Sequence, residues 1–366
     1  MFRESQVKLA DGHNISIYNA GTEEQEITVT SYGARLLKWE VPCTEAENER
    51  LNLIVNHADY NHYAADPAYM GAVIGPIPNR FASGKIHLAG NDYQLEQNVS
   101  PDTLHSSNIA FSELDFELFD HGEDYIILKH EFTPEHVLHP GNRILYVSYI
   151  LQTNSQGKTL KINYKLTTSS DCYIDVTNHS YFRLWDRSIL QKYDISPKEA
   201  LLQTRVKMPS AFYTPTDNLI CTGEILRIKE NSILDFQNGR TLADGIKELA
   251  ATTIGGYDHN FILARDYHNY DSASSRYYSK PTTFASNFNN VSLSAVTTEV
   301  GAQLYTANYL DADVTSDGME YGKHCAFCFE TQGIPNNVVY DHFPSTLLRA
   351  GDTYNSTTLF TYRQKL

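Results

Sequence analysis

Short hydrophobic runs separated by polar turns recur along most of the chain. In residues 159–166 the apolar side chains alternate with polar ones, and this period of two is typical of a β-strand with one buried face. Comparable runs predict strands at residues 26–30, 125–130, 144–151 and 291–296. Residues 84–94 predict a hairpin that turns at Gly90-Asn91-Asp92.

The pattern predicts little helix. Residues 242–249 are the convincing short helix, which is too little for alternating strand and helix units. We therefore expect an all-β sandwich or barrel, built as one domain over residues 1–366 because the sequence has no internal repeat or linker. Residues 266–290 are polar and rich in Tyr, Ser and Asn. They predict a long surface excursion, for which a role as a lid is one alternative.

Charge and composition exclude several classes of protein. The formal net charge of −15 argues against binding of the nucleic acid backbone. The sequence has no apolar run near the ~20 residues that span a bilayer, and its first residues lack the features of a signal peptide. An odd count of 5 Cys suits a reducing compartment, so we expect a cytoplasmic protein.

One segment near the end of the chain places a carboxylate at a strand terminus. In Cys325-Ala-Phe-Cys-Phe-Glu330, the residues Ala326, Cys328 and Glu330 share one face of a strand, and the two phenylalanines point the other way. Gly333 and Pro335 end the strand, so Glu330 is expected at the rim of a sheet with room for a ligand beside it. Taken alone, it could equally be a solvated edge glutamate.

Other polar residues stand out less clearly. His179 falls on the polar face of residues 172–182, and Asn79 and Arg80 follow a loop that Pro76 and Pro78 stiffen. Such a loop can hold a guanidinium at fixed geometry against ligand hydroxyls. Taken alone, His179 could equally be a structural histidine with satisfied hydrogen bonds, and Arg80 could be an arginine in a surface salt bridge. His105, Asp258 and Gln303 are unremarkable individually.

Read together, these segments resemble the successive signatures of the aldose 1-epimerase (galactose mutarotase) family. The matching motifs occur in one order, over about residues 30 to 363: Asn79-Arg80, Leu104-His105, Asn178-His-Ser-Tyr-Phe182, Gly256-Tyr-Asp-His-Asn-Phe261, Tyr305-Thr-Ala-Asn308, Glu330-Thr-Gln332, Phe343-Pro-Ser-Thr346 and Gly351-Asp-Thr-Tyr-Asn-Ser-Thr357. No single motif is specific for the family, but the occurrence of all of them in this order across nearly the whole chain is highly specific for it.

The resemblance implies a large antiparallel β-sandwich of the kind called a supersandwich, a sugar cleft and no cofactor. It implies Glu330 as general base, His179 as general acid and His105 as an assisting residue. The hydroxyl-binding residues it implies are Asn79, Arg80, Asp258 and Gln303. The partner would be a small sugar and the chain a monomer or homodimer. As the acid, His179 is expected to be protonated at neutral pH, helped by a carboxylate such as Glu330 or Asp258.

The chain departs from the family pattern beside the assigned residues. The family commonly has Arg and a small residue in place of Pro76 and Pro78, and Asn in place of Arg183. It commonly has Gly-Gly where Ser106-Ser107 stand. These changes bear on sugar preference and loop shape rather than on the reaction.

Several alternatives stay open at this point. Glu330 and Asp258 could serve a glycosidase, and His105, His179, Asp258 and Glu330 could hold a metal. Cys325 and Cys328 have redox or zinc spacing, but positions i and i+3 face opposite ways on a strand, which favours packing. A non-catalytic sugar-binding protein, a phosphosugar epimerase using Arg183, and an epimerase for a disaccharide such as maltose are further alternatives.

Overall fold

The computed structural model describes residues 1–133 and 141–365, and the strand pairs within these ranges are antiparallel. The largest sheet has nine strands. In spatial order these are Glu117–His121, Tyr125–Phe132, Arg143–Asn154, Gly157–Thr168, Thr353–Gln364, Val291–Thr297, Thr282–Ala285, Arg205–Lys207 and Arg240–Thr241.

Two smaller sheets accompany it. The six-stranded sheet runs in the order Tyr181–Phe182, Phe327–Gln332, Gly301–Tyr305, Asp258–Ile262, Phe212–Thr214 and Leu226–Arg227. The five-stranded sheet runs Phe2–Lys8, Asn14–Gly21, Glu26–Thr30, Leu36–Pro42 and Arg50–Asn52.

Pairs of short strands and several short helices make up the rest of the secondary structure in the described residues. The two-stranded pairs are Arg80–Phe81 with Thr103–Leu104, Cys172–Tyr173 with Leu347–Leu348, Val73–Ile74 with Thr177–Asn178, Thr216–Asp217 with Ile220–Cys221, Arg265–Asp271 with Arg276–Ser279, Asp313–Val314 with Glu320–Tyr321, and Lys85–Leu88 with Asn91–Gln94. The α-helices are Arg187–Tyr193, Pro197–Leu202 and Ala243–Leu249, and the 3₁₀ helices are Glu47–Glu49, Tyr60–Ala65, Ala82–Gly84, Ser107–Ile109 and Phe111–Glu113. Within the described ranges, no helix has the length and apolar character that a membrane crossing requires.

The core lies where apolar faces of the large sheets meet. Phe327 of the six-stranded sheet stacks on Phe284 of the nine-stranded sheet, with ring centroids 4.1 Å apart. The predicted aromatic face of the Phe327–Gln332 strand is therefore confirmed as a core face, and its other face is left for polar residues. Trp39 and Trp185 are fully buried, so neither offers an exposed platform for a sugar.

The predicted elements are largely confirmed. All five predicted strands are present, although most are longer than predicted, and the predicted helix begins one residue later, at Ala243. The hairpin was predicted with its turn too late, because Asn91 and Asp92 already belong to the second strand and the turn is Ala89-Gly90. Residues 266–290 were predicted as a long surface excursion, and this is confirmed in part: the hairpin Arg265–Asp271 and Arg276–Ser279 is largely exposed, but Thr282–Ala285 form a strand of the nine-stranded sheet.

A buried carboxylate, Asp175, ties the end of the Glu330 strand to the segment that carries His179. Asp175 accepts a hydrogen bond from the backbone N–H of Gly333 at 2.8 Å, and it is 4% exposed. Burial, and after it the neighbouring Glu299, raise the pKa of Asp175 to about 8. The carboxyl group is therefore largely protonated at neutral pH.

We predict that Asp175→Asn makes the protein more resistant to alkaline unfolding. The pKa of Asp175 rises from 3.8 to about 8 on folding, so the folded protein holds this proton more tightly than the unfolded chain does. The resulting contribution to the free energy of unfolding is fully present below pH ~4 and is lost as the pH rises towards 8. The asparagine cannot ionise, so the free energy of unfolding of the variant relative to wild type should rise by roughly 1 kcal/mol per pH unit between pH 6 and 8. Denaturant titrations at several pH values measure this difference.

The matched control is Asp124→Asn, which changes an exposed carboxylate. Its free energy difference from wild type should not vary with pH over the same window. If Asp175→Asn behaves like this control, Asp175 is ionised in the folded protein and the assignment is wrong.

Candidate active site

A cavity of about 810 Å³ opens at the polar face of the six-stranded sheet. Six of the seven residues implied by the family resemblance line it: Asn79, Arg80, His105, His179, Asp258 and Glu330. The structure therefore brings together groups that are up to 251 positions apart in the sequence, from Asn79 to Glu330. No residue of the fully described segment 266–290 lines this cavity, so the alternative of a lid has no support from its position.

The seventh residue, Gln303, is not among the residues that line the cavity, although it is directly opposite Glu330 in the sheet. It is 4% exposed and donates a hydrogen bond from Nε2 to Asp258 Oδ1 at 2.6 Å. Its Oε1 is buried without a hydrogen-bond partner among the described residues, so the role in binding a sugar hydroxyl that the resemblance implies stays a prediction. Gln303 holds one carboxylate oxygen of Asp258, and the other oxygen remains for Arg80 or a ligand.

Strand register explains why these side chains converge. Glu330 is directly opposite Gln303, and Gln303 is opposite Asn260. One rung away on the same face, Cys328 is opposite Tyr305, and Tyr305 is opposite Asp258. Since directly opposed residues of antiparallel strands point to the same face, Glu330 and Asp258 both point into the cavity.

Glu330 lies deeper than the sequence indicated. The strand ends at Gln332, as Gly333 predicted, but Glu330 is buried, with only 3% of its surface exposed. It is therefore neither a rim residue nor a solvated edge glutamate. Burial, and after it the negative charge of Asp258, raise the pKa of Glu330 well above its ordinary value, while Arg80 acts in the opposite direction.

His179 is clamped by its backbone on the strand side of the cavity. Its N–H donates to Ala72 O at 2.8 Å, and its carbonyl accepts from Gly71 N at 3.0 Å. Gly71 has a φ of +71°, and a Cβ there would lie 2.2 Å from Leu36 O, so this clamp requires glycine.

The His179 imidazole lies between a thiol and a carboxylate. Nδ1 is 3.7 Å from Cys328 Sγ, and Nε2 is 3.8 Å from Glu330 Oε1. Burial lowers the pKa of His179 to about 4, so the expectation of a protonated His179 at neutral pH is wrong for the free protein. The physical reason is desolvation, which opposes the charged imidazolium more strongly than the nearby carboxylates favour it.

Glu330 and His179 together can hold one proton at neutral pH. With the pKa of the acid raised and that of the base lowered, a neutral carboxylic acid beside a neutral imidazole is favoured over an ion pair. Moving that proton from Glu330 to His179 changes the charge of each group but leaves the charge of the pair unchanged. The pair can therefore deliver a proton at one position and accept a proton at another.

His105 is fixed in one tautomer by Asn79. The N–H of Asn79 donates to His105 Nδ1 at 3.1 Å, and the N–H of His105 donates to Asn79 O at 2.9 Å. Because Nδ1 accepts, the neutral ring carries its hydrogen on Nε2. Burial lowers the pKa of His105 well below 6.5, so this ring is neutral and acts as a hydrogen-bond donor rather than as a source of protons.

Arg80 supplies the positive charge of the site. Its Nη1 lies 3.7 Å from Asp258 Oδ2, and its side chain is 18% exposed. Its backbone N–H is held by Asn79 Oδ1 at 2.7 Å. Burial raises the pKa of Asp258, and Arg80 and Gln303 partly offset this. The pair presents donors and acceptors in fixed positions, as binding of a polyhydroxylated ligand requires.

Arg183 does not belong to the cavity. It is fully buried, donates from Nε to Asn52 O at 2.9 Å and pairs with Asp317. It is therefore occupied within the protein, and the phosphosugar alternative loses the residue on which it rested. Cys325 and Cys328 are free and buried, as packing predicted, although Cys328 also contacts His179.

Aromatic side chains complete the site, and sequence reasoning missed them. Tyr69, Tyr181, Tyr305 and Tyr309 line the cavity. Tyr69 packs edge-on against His105, and Tyr181 lies against His179, with ring centroids 4.7 and 5.1 Å apart. Tyr181 and Tyr305 fall inside motifs of the family resemblance, which was the available signal. Tyr69 lies outside these motifs, so the sequence offered no signal for it.

The arrangement also has the spacing of a metal site. Ligand atoms of His105, His179 and Glu330 lie within 4.8 Å of one another, while Asp258, the fourth residue of the predicted alternative, is not part of this group. Two features oppose a cation here: His105 Nδ1 already accepts from Asn79, and Arg80 places a positive charge nearby.

The comparisons with known proteins agree with this geometry. A family model described as aldose 1-epimerase matches residues 16–361. A galactose mutarotase from Sus scrofa is 29% identical over 348 residues, which cover 93% of this chain and 92% of that protein. A maltose epimerase from Levilactobacillus brevis is 24% identical over 349 residues, with 93% and 92% covered.

Solved structures show the same fold. A GalM/aldose epimerase homologue from C. elegans superposes with a TM-score of 0.80 at 20% identity and covers 100% of both chains. The all-β antiparallel fold of the galactose mutarotase type, predicted from the motifs, is thereby confirmed. With the family model matching nearly the whole chain, this protein belongs to the aldose 1-epimerase family, a family of isomerases.

Proposed function

We propose that this protein interconverts the α and β anomers of free aldohexoses such as galactose and glucose, by opening and reclosing the pyranose ring. One observation carries the proposal: Glu330 and His179, from distant parts of the chain, line one cavity with Oε1 and Nε2 3.8 Å apart. O1 and the ring oxygen of an aldose are bonded to the same carbon, so two groups this close can reach both oxygens.

The reaction needs one base and one acid. Glu330 removes the proton from O1 while His179 protonates the ring oxygen, and the ring opens to the aldehyde. Rotation about C1–C2 and reclosure with the roles reversed give the other anomer. Each positioned proton-transfer group contributes roughly 10²–10⁴ in rate.

The electrostatics of the pair suit the open-chain intermediate. The closed sugar requires ionised Glu330 and protonated His179. After ring opening, Glu330 holds the proton from O1 and His179 is neutral. This second arrangement is the one that burial favours, since it raises the pKa of Glu330 and lowers that of His179. The protein therefore favours the protonation state that accompanies the aldehyde, while a bound sugar and Arg80 favour ionised Glu330.

The remaining polar residues bind hydroxyls in this proposal. Arg80 and Asp258 form a donor and acceptor pair, and His105 donates from Nε2. Asn79 holds His105 and Arg80 by its backbone and its side chain, and Gln303 orients Asp258. We also propose that residues 1–366 form a single domain, because one hydrophobic cluster includes residues from Leu9 to Tyr362.

A disaccharide epimerase is the second candidate. The cavity volume of about 810 Å³ is in the upper part of the usual range for small-molecule sites. A relative of this chain is a maltose epimerase. Both observations favour testing maltose beside the hexoses.

We predict faster mutarotation of fresh α-D-galactose, α-D-glucose or α-maltose when the protein is added. Polarimetry or NMR follows the approach to equilibrium, and the endpoint should not change because a catalyst does not shift an equilibrium. The ratio of kcat/KM among the three sugars separates the hexose and disaccharide candidates. An unchanged rate for every sugar contradicts the proposal, and release of phenol from a nitrophenyl glycoside would indicate a hydrolase instead.

We predict that Glu330→Gln lowers kcat by roughly 10²–10⁴, because the amide has nearly the same shape but cannot accept the proton from O1. Sugar binding, measured by calorimetry, should persist. Glu230→Gln, at an exposed position, is the matched control and should keep wild-type activity. Retention of most activity in Glu330→Gln would refute the role of Glu330.

Ser106 holds the loop that carries Asn79 and Arg80. Its buried hydroxyl accepts from Ile77 N at 2.8 Å and donates to Ile77 O at 2.9 Å. Pro76 and Pro78 have no N–H, so Ile77 provides the one backbone donor among these three residues. Ser106 has a φ of +69°, a conformation that glycine adopts more easily, so the hydroxyl compensates for backbone strain.

We predict that Ser106→Ala lowers kcat/KM roughly tenfold, mainly through a higher KM, because Arg80 and Asn79 lose their fixed position. Ile77 would keep two unpaired buried groups, at a cost of about 1–3 kcal/mol in unfolding free energy. Ser107→Ala is the matched control: Ser107 has a φ of +47°, but its hydroxyl contacts only Glu96, at 3.4 Å. Equal effects of both substitutions on KM would rule out a specific role for the Ser106 hydroxyl.

A further inference from the structure

A second group of metal-ligand side chains lines the same cavity and has no part in the proposed reaction. His57, His62 and Asp313, here called the His57 cluster, place their ligand atoms within 4.8 Å of one another. His62 Nδ1 is 2.8 Å from Asp313 Oδ2, and His57 Nδ1 is 3.6 Å from the same oxygen. One carboxylate oxygen is thus shared by two imidazoles from different positions of the chain.

The backbone holds the three residues in place. His62 lies in the 3₁₀ helix Tyr60–Ala65, whose first turn is capped by Asp59. Asp313 begins the short strand that pairs with Glu320–Tyr321, and Ala58 N donates to Val314 O at 3.1 Å. This last bond connects the segment of the two histidines to the segment of the aspartate. The convergence of the side chains is therefore built into the fold.

Asp66 is placed behind His57 in the way that a carboxylate often lies behind a metal-ligating histidine. His57 Nε2 is buried without a hydrogen-bond partner among the described residues, and it lies 3.6 Å from Asp66 Oδ1. Asp66 is itself held by Arg35 Nη1 at 3.2 Å and by the backbone N–H groups of Ala68 and Met70. Metal-ligating histidines usually direct their second nitrogen to such a carboxylate, which orients the ring and increases its basicity. In the free protein, Nδ1 of His57 is 2.6 Å from the hydroxyl of Tyr321.

We propose that the His57 cluster binds a divalent transition metal of the Zn²⁺ class, with two imidazole nitrogens and one carboxylate oxygen as ligands. Two nitrogens and one oxygen suit Zn²⁺ better than Mg²⁺ or Ca²⁺, which prefer oxygen ligands. A formal net charge of −15 raises the local concentration of cations. The three protein ligands leave a fourth position of a tetrahedral ion for water or for the Tyr321 hydroxyl, which also lines the cavity.

The experiment titrates Zn²⁺ into the full-length chain after removal of any affinity tag and dialysis against a chelator. Calorimetry of wild type should show one tight site. His62→Ala and Asp313→Asn should each weaken binding at least roughly tenfold, since each removes a ligand. Co²⁺ in place of Zn²⁺ should give a visible absorption spectrum that both substitutions abolish.

Two controls locate the ion. His87→Ala removes an exposed histidine whose Nδ1 is 2.7 Å from Asp92, a contact as close as that of His62 and Asp313 but without a second histidine, and it should bind as wild type does. Glu330→Gln removes a ligand of the other cluster and should also leave Zn²⁺ affinity unchanged. Loss of binding in Glu330→Gln with retention in His62→Ala, or no binding by wild type, would overturn the proposal.

Discussion

The site depends on the burial of a carboxylic acid beside an imidazole. Desolvation raises the pKa of Glu330 and lowers that of His179, because burial disfavours the charged form of each group. Glu330 Oε1 and His179 Nε2 are 3.8 Å apart, close enough for the pair to contact both oxygens of the anomeric carbon in the proposed reaction. In a solvated pair the carboxylate would stay ionised and hydrated, and proton transfer in the proposed reaction would then have to overcome that hydration.

Different parts of the fold supply precision in different ways. Glu330 and Asp258 project from neighbouring rungs of one sheet, where ladder hydrogen bonds fix the backbone. His105 has a φ of +52°, and two hydrogen bonds with Asn79 hold it: the His105 N–H donates to Asn79 O, and the Asn79 N–H donates to His105 Nδ1. The strained backbone at His105 is therefore kept rigid by its contacts with Asn79, which directly precedes the strand Arg80–Phe81. Such strain at a functional site persists when the surrounding structure determines it fully.

The sequence predicted what depends on local pattern, and it did not predict what depends on pairing between distant segments. Alternation in residues 159–166 identified a strand, but it could not show that Gln303 lies directly opposite Glu330 or that its side chain donates to Asp258, because both depend on how distant strands pair. The helix Pro197–Leu202 was missed although its start carries a capping box, Ser196 with Glu199, and a proline at the first turn. The expectation for His179 failed for a related reason, because burial is a property of the folded chain.

The geometry also bears on which sugars can react. In the proposed reaction, ring opening involves only C1, its hydroxyl and the ring oxygen, so Glu330 and His179 would have to contact only one end of the sugar. In that reaction the rest of the cavity, towards Asn61 and Leu310, is not required for proton transfer. A galactose mutarotase and a maltose epimerase are both similar to this chain. Under the proposed function, preference between such sugars would depend on hydroxyl contacts with the cavity walls, which cost or gain a few kcal/mol.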